Sequence, residues 1–152
     1  MLTLAMGLIV AAPTLAGQLT CVNGRFGTSC TFPDDIFLLR QPEPENGDGR
    51  QWLSADGASL VCSGMFNVTN DTPKTRIAAE KASQTASYSI TYSKAGRDWA
   101  VLSGLREGRI FYHRLLFGDD AVVRSVWIDY PQALRSKYDP LVGKIAGSLK
   151  GP

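Results

Sequence analysis

The chain has 152 residues, of which 44% are hydrophobic and 20% are charged, and its formal net charge is +2. This length and balance predict one globular domain with its own core and exclude disorder as the default state. The small net charge argues against nucleic acid or an anionic lipid surface as the main partner.

Residues 1–16 carry no charge and are almost all apolar or small. The run is shorter than the ~20 residues that a membrane-spanning helix needs. Thr14-Leu15-Ala16 before Gly17 supplies a small-residue cleavage site, so we interpret residues 1–16 as the core of a secretory signal peptide. No Lys or Arg precedes this core, so the natural start could lie upstream, and a buried N-terminal helix is the alternative. Export predicts a periplasmic or secreted protein with no transmembrane helix in its mature part.

Export makes the three cysteines informative, because disulfides form and persist in oxidising compartments. Cys21 and Cys30 flank a polar, glycine-containing stretch that is typical of a small loop. We predict that residues 17–31 form a loop closed by a Cys21–Cys30 disulfide, which contributes about 2–3 kcal/mol to stability. Cys62 is predicted to be a small buried hydrophobe in a strand. With two cysteines oxidised and one histidine in the chain, no tetrahedral metal set remains, and we expect neither a metal nor a cofactor.

Residues 32–150 are predicted to form one α+β domain. A short strand over residues 36–39 is followed by a surface loop over residues 41–49, which is rich in proline and glycine. Residues 50–54 and 58–67 form a hairpin. Thr72 is the predicted N-cap of a helix that has Pro73 at its first position and runs to about Ser83. Two further strands are predicted over residues 87–93 and 98–104.

The centre of the predicted fold is a hairpin of two strands, residues 109–117 and 121–129, that are rich in aromatic and β-branched side chains. We predict that Phe117 pairs with Val122 across the turn Gly118-Asp119-Asp120. Neither face of this hairpin is wholly polar, which indicates a sheet covered on both sides. Asp139-Pro140 is predicted to cap a last amphipathic helix. The fold class is therefore an α+β sandwich: an antiparallel sheet of about six to seven strands, with a central meander, covered by two main helices.

Several turn and strand-edge motifs resemble a family of small exported proteins of Gram-negative bacteria with no assigned function: Pro44-Glu45-Asn46-Gly47-Asp48-Gly49-Arg50, Ser103-Gly104-Leu105, Gly108-Arg109-Ile110-Phe111-Tyr112, Tyr130-Pro131 and Tyr138-Asp139-Pro140. The element order also resembles the PsbP-like and DcrB-like α/β sandwich. Members of that broad group are mostly non-catalytic accessory subunits, adaptors and periplasmic proteins. The resemblance therefore implies a fold and an accessory role, and it brings no catalytic residue with it.

The only histidine, His113, lies between Tyr112 and Arg114 on the central strand. Base catalysis by histidine also needs a nucleophile and an orienting acid, and the sequence contains no nucleophile-elbow motif. We therefore expect His113 to be a half-buried strand residue and the protein not to be an enzyme. One alternative is a small periplasmic hydrolase that pairs His113 with an aspartate, and another is a structural envelope-stress protein without a specific ligand.

The strongest binding candidate is an aromatic and cationic group predicted to share one face of the sheet: Tyr112, Arg114 and Trp127, with Arg109 near the strand end. Arginine beside aromatic rings suits a carboxylate, a phosphate, a sugar or a protein hot spot. The alternative is that the aliphatic part of the Arg114 side chain packs over Trp127 while its guanidinium group stays in water. The sequence thus predicts an exported, non-catalytic binding or accessory protein. Its partner is a protein or a cell-envelope component, and its oligomeric state stays open.

Overall fold

The computed structural model describes residues 17–152, so the predicted signal peptide core, residues 1–16, lies outside the described residues. The elements in chain order are β1 (Gln18–Asn23), β2 (Thr28–Pro33), β3 (Leu39–Arg40), β4 (Gly49–Leu53), β5 (Ser59–Phe66), α1 (Pro73–Ala82), β6 (Tyr88–Ala95), β7 (Trp99–Arg106), β8 (Arg109–Phe117), β9 (Val122–Pro131), a 3₁₀ turn (Gln132–Leu134) and α2 (Arg135–Gly147). Neither α-helix of this part of the chain is long and apolar enough to cross a membrane.

Strands β3 to β9 form one antiparallel sheet in the order β3-β4-β5-β9-β8-β7-β6, and β1 pairs with β2 in a separate hairpin. The meander runs through β6, β7, β8 and β9, as the sequence predicted. The predicted α+β class with a seven-stranded antiparallel sheet and two main helices is confirmed.

The two faces of the sheet are covered by different elements, because successive side chains of a strand point to opposite sides. On the face that we call the α1 face, Ile77 of α1 packs against a core of five buried residues: Ala100, Leu102, Phe111, Leu115 and Val123. The opposite face, the α2 face, holds the larger core, to which the sheet, the hairpin β1–β2 and α2 all contribute: Phe32, Trp52, Leu60, Val126, Ile128, Tyr138 and Ile145. The prediction of a sheet covered on both sides is correct.

The N-terminal segment is a hairpin and not the predicted loop. A turn over residues 24–27 joins β1 to β2, and Cys21 pairs with Cys30. Along β2 the buried residues Thr28, Cys30 and Phe32 alternate with half-buried ones. This alternation is the signature of a strand, and the polar composition of the stretch concealed it. The hairpin side chains belong to the core on the α2 face, so this segment is part of the domain.

The last helix begins earlier than predicted, at Arg135, and Pro140 lies inside it. The 3₁₀ turn over Gln132–Leu134 leads directly into α2, so the helix is already under way when the chain reaches Pro140. Asp139 does not cap the helix; its carboxylate accepts a hydrogen bond of 2.6 Å from the Tyr130 hydroxyl. The start of α1 is as predicted, with the Thr72 side chain accepting a hydrogen bond from the Thr75 backbone N–H.

Gly104 on β7 is a position where the fold leaves no space for a side chain. A Cβ atom there would lie 1.9 Å from the carbonyl oxygen of Ser89 on β6. We therefore expect Gly104→Ala to lower the free energy of unfolding by about 1–3 kcal/mol, measured by urea denaturation.

The matched control for this substitution is Gly143→Ala. Gly143 is exposed on α2, and a Cβ atom there would meet nothing within 4 Å. Alanine should raise the free energy of unfolding by about 0.5–1 kcal/mol, because glycine is a poor helix former. Equal stability of wild type and Gly104→Ala would show that β6 and β7 are not packed as described.

Candidate functional site

The pairing of β8 with β9 decides which candidate side chains share a face. Phe117 pairs with Val123 and not with Val122, so the predicted register is wrong by one residue. The reason is Ala121, which has a left-handed backbone with a φ of 56° and belongs to the turn. A slip of one residue moves every side chain of one strand to the other face relative to its partner.

The observed register separates the four predicted binding residues into two pairs. Arg109 and Trp127 lie on the α1 face, whereas Tyr112 and Arg114 lie on the α2 face. The expectation that Tyr112, Arg114 and Trp127 share one face is therefore wrong. Arg114 also does not cover Trp127, because its guanidinium carbon lies 4.9 Å from the ring centre of Trp99.

Trp127 is the centre of an aromatic cluster on the α1 face. Its ring stacks on Phe111, with centroids 4.8 Å apart and 6° between the planes, and the His113 ring centre lies 5.0 Å away. The guanidinium carbon of Arg106 lies 5.4 Å from the centre of the Trp127 ring, which is a cation–π contact. The indole N–H donates a hydrogen bond of 3.0 Å to Oδ2 of Asp129. These contacts hold the indole in one orientation.

Asp129 also fixes Arg109. The Arg109 Nε donates a hydrogen bond of 2.5 Å to Oδ1 of Asp129, and Nη2 donates one of 2.6 Å to the Gly57 carbonyl oxygen. One carboxylate thus positions both the tryptophan and the arginine that the sequence singled out. The Arg109 side chain is 35% exposed, so part of its guanidinium group is open to a ligand.

Two neighbouring clefts flank Trp127. One, of about 420 Å³, reaches toward α1 and is lined by residues that include Glu80, Tyr88 and His113. The other, of about 300 Å³, reaches toward Arg109 and Asp129. Arg106, Glu107 and Trp127 line both clefts. We call the combined surface the Trp127 cleft, defined by Arg106, Glu107, Arg109, His113, Trp127 and Asp129.

Arg106 is the functional candidate that sequence reasoning missed, because the predicted strand ended at residue 104 whereas β7 runs to Arg106. The turn consists only of Glu107 and Gly108, both with positive φ, and Arg106 pairs directly with Arg109. A two-residue loop with positive φ at both positions is the usual turn of a tight hairpin. The signal was therefore present in Glu107-Gly108, and it would have placed the two arginines side by side on the α1 face.

His113 is half-buried, as predicted, and lies on the wall of the Trp127 cleft. Burial lowers the pKa of His113 to about 4, and the positive charge of Arg76 acts in the same direction. The imidazole is therefore neutral at neutral pH. The Asp129 carboxylate, which lies on the same face of the sheet, is bound to Arg109 and Trp127.

The predicted disulfide residues lie on the other face of the sheet, under the N-terminal hairpin. Cys21 and Cys30 are directly opposite each other on β1 and β2, and both are free thiols in this structure. The Cys21–Cys30 disulfide stays a prediction. Cys62 is buried as predicted, but it is not isolated: the three Sγ atoms lie within 4.8 Å of one another. Hydrogen bonding from the other two thiols lowers the pKa of Cys21, and hydrogen bonding to Cys21 and Cys62 raises that of Cys30.

Comparison with known proteins gives a fold and no family. No protein-family profile matches the chain, and no curated protein matches it in sequence. The solution structure of cyanobacterial PsbP (CyanoP) from Synechocystis sp. PCC 6803 is similar, with a TM-score of 0.59 over 94% of this chain and 97% of that chain. The fold is PsbP-like. The sequence identity to that structure is 12%, so the similarity concerns the PsbP-like fold alone and transfers no site residue.

The state of His113 can be tested by titration. We expect its imidazole NMR signals to titrate near pH 4, well below the ordinary value of 6.5. As pH falls from 6.5 toward 4, His113 binds a proton in the unfolded chain but not in the folded chain. The free energy of unfolding therefore decreases in that window.

The control for this pH dependence is His113→Gln, which cannot bind the proton. Relative to this variant, the wild-type protein should lose stability as pH falls through the window. A midpoint at or above 6.5 would contradict the described surroundings and would point to a carboxylate partner for the imidazole.

Proposed function

We propose that the protein is an exported, non-catalytic binding or accessory module that holds a protein partner at the Trp127 cleft. The observation that carries the proposal is the juxtaposition of a fixed, half-buried tryptophan with an exposed arginine on a part of the sheet that α1 leaves open. The partner segment that fits this chemistry presents an apolar side chain next to a carboxylate.

The apolar part of the proposal rests on Trp127. Tryptophan and arginine are enriched among the residues that dominate binding energy at protein interfaces. Because Trp127 is stacked on Phe111 and hydrogen-bonded to Asp129, little further order is needed when a partner binds. Such preorganisation reduces the entropic cost of association.

The anionic part rests on the two neighbouring arginines. Asp129 offsets the charge of Arg109, whereas Arg106 is exposed and makes no salt bridge within residues 17–152. A guanidinium group recognises a carboxylate through paired N–H donors, which gives direction as well as attraction. Arg106 therefore supplies the charge that remains free for a partner.

The surroundings of His113 weigh against the hydrolase alternative. A histidine that works with an aspartate has its pKa raised by the carboxylate, whereas burial and Arg76 lower the pKa of His113. Export rests on the composition of residues 1–16, and a periplasmic or secreted location is part of the same proposal.

Photo-crosslinking in the exported compartment tests the binding surface. Glu107 is exposed and lines the Trp127 cleft. A photoreactive phenylalanine in its place should give one discrete crosslinked product with a partner protein. The same residue in place of Lys94, which is exposed on the α2 face, should not give that product. With the purified partner, Arg106→Ala should weaken binding by about 5- to 30-fold, the effect of a residue worth 1–2 kcal/mol.

The matched control is Arg114→Ala, because Arg114 also lies over a tryptophan ring but on the opposite face. Its effect on affinity should be less than about twofold, as for a residue outside the interface. If both arginine variants weaken binding equally, or if neither does, the partner does not bind at the Trp127 cleft.

A further inference from the structure

Three cysteines from three strands meet in the core on the α2 face, away from the Trp127 cleft. Cys21 on β1 and Cys30 on β2 are each 1% exposed, and Cys62 on β5 is 0% exposed. Their Sγ atoms all lie within 4.8 Å of one another. We call this group the cysteine triad. The proposed partner binding makes no use of it.

We propose that the cysteine triad is a binding site for one soft, monovalent metal ion of the Cu(I) class. Thiolate sulfur is the donor that soft ions such as Cu(I) prefer. A metal–sulfur bond of about 2.3 Å places the three sulfurs of a trigonal site about 4 Å apart. The spacing of the triad therefore needs only a small adjustment to receive an ion.

The number of donors selects the ion. Within residues 17–152, no histidine or carboxylate joins the three sulfurs as a fourth ligand. Structural zinc sites are almost always tetrahedral with four protein ligands, so the three sulfurs leave a zinc ion one protein ligand short. Cu(I) accepts three thiolates in a plane.

One buried hydrogen-bond donor beside the triad, the Nε–H of Arg50, has no partner within residues 17–152. Arg50 pairs with Cys62 across β4 and β5 and lines the same cleft as Cys21. Buried polar groups are almost always hydrogen-bonded. A donor without a partner next to the sulfurs indicates surroundings that suit negative charge on sulfur.

The charge and the access route fit the same occupant. Binding of Cu(I) to three thiols releases their protons to solvent and leaves a net charge of −2 on the centre, with no change in oxidation state. Arg40 and Arg50 line a cleft of about 380 Å³ that also reaches Cys21. The cleft gives an ion a path from solvent. Both guanidinium groups also form salt bridges with Glu43, so the three side chains together contribute one positive charge beside the centre.

The predicted Cys21–Cys30 disulfide is the competing state, because oxidation would remove two of the three ligands. The metal site therefore exists only in the reduced protein. A structural disulfide between Cys21 and Cys30 would need no third thiol. The position of Cys62 beside the pair therefore favours the metal site.

Titration of the reduced full chain with Cu(I) under anaerobic conditions, against a chromophoric Cu(I) chelator, tests the proposal. We expect one Cu(I) per chain, and X-ray absorption should show three sulfurs at about 2.2–2.3 Å. Binding to the folded chain should also raise Tm in proportion to the logarithm of free Cu(I). Failure of the wild-type protein to hold Cu(I) against the chelator would overturn the proposal.

Substitutions separate the triad from adventitious thiol binding. Cys62→Ala should reduce Cu(I) affinity by more than tenfold and leave two sulfurs in the absorption spectrum. Arg50→Gln should weaken binding by about 10- to 100-fold, as for loss of a group that supports metal ligands. Arg40→Gln, which removes a charge from the same cleft but not the unpartnered buried donor, should have a smaller effect.

Two further results would overturn the assignment. One is an affinity for Cu(I) that Cys62→Ala leaves unchanged. The other is peptide mapping of the exported protein that shows a complete Cys21–Cys30 disulfide even when Cu(I) is supplied. Because the wild-type absorption spectrum reports the ligand count directly, the proposal stays testable if a cysteine variant does not fold.

Discussion

The alternation of side chains across the β8–β9 pair is the constraint on which both faces of the sheet depend. These two strands lie in the middle of the sheet, so their register fixes which side chains go to α1 and which to α2. The register in turn depends on a single turn residue, Ala121, whose left-handed backbone lengthens the loop. Because the side-chain period of a strand is two, this local conformation decides the position of Trp127 relative to every residue of β8.

The two faces have different cover, and this difference explains where the candidate sites lie. The helix α1 contacts β6 and β7 and leaves the sheet around Trp127 and Arg109 open to solvent, where clefts form. The α2 face is covered by α2 and by the N-terminal hairpin, which buries the cysteine triad. A short helix on one face thus leaves the proposed binding surface open, while the double cover on the other face encloses the cysteine triad.

Local signals in the sequence were sufficient for most of the elements. Thr72-Pro73 marked the start of α1 because an N-cap hydroxyl and a proline at the first helical position are both local requirements. The span of β8 was predicted as residues 109–117 from its β-branched and aromatic side chains. The α+β class followed from the order of these elements. Local signals failed at Pro140. Proline is typical of the first turn of a helix, so Asp139-Pro140 was predicted to begin α2, but the helix begins at Arg135 and contains Pro140.

The sequence by itself determined most of the elements, their order and the choice of Arg109 and Trp127 as candidate site residues. Tertiary structure alone decided that Tyr112 and Arg114 lie on the face opposite Trp127 and that Cys62 lies beside Cys21 and Cys30. The physical reason is the range of the interactions. Capping and strand preference act within a few residues, whereas register and packing join positions far apart in the chain, which no local pattern encodes.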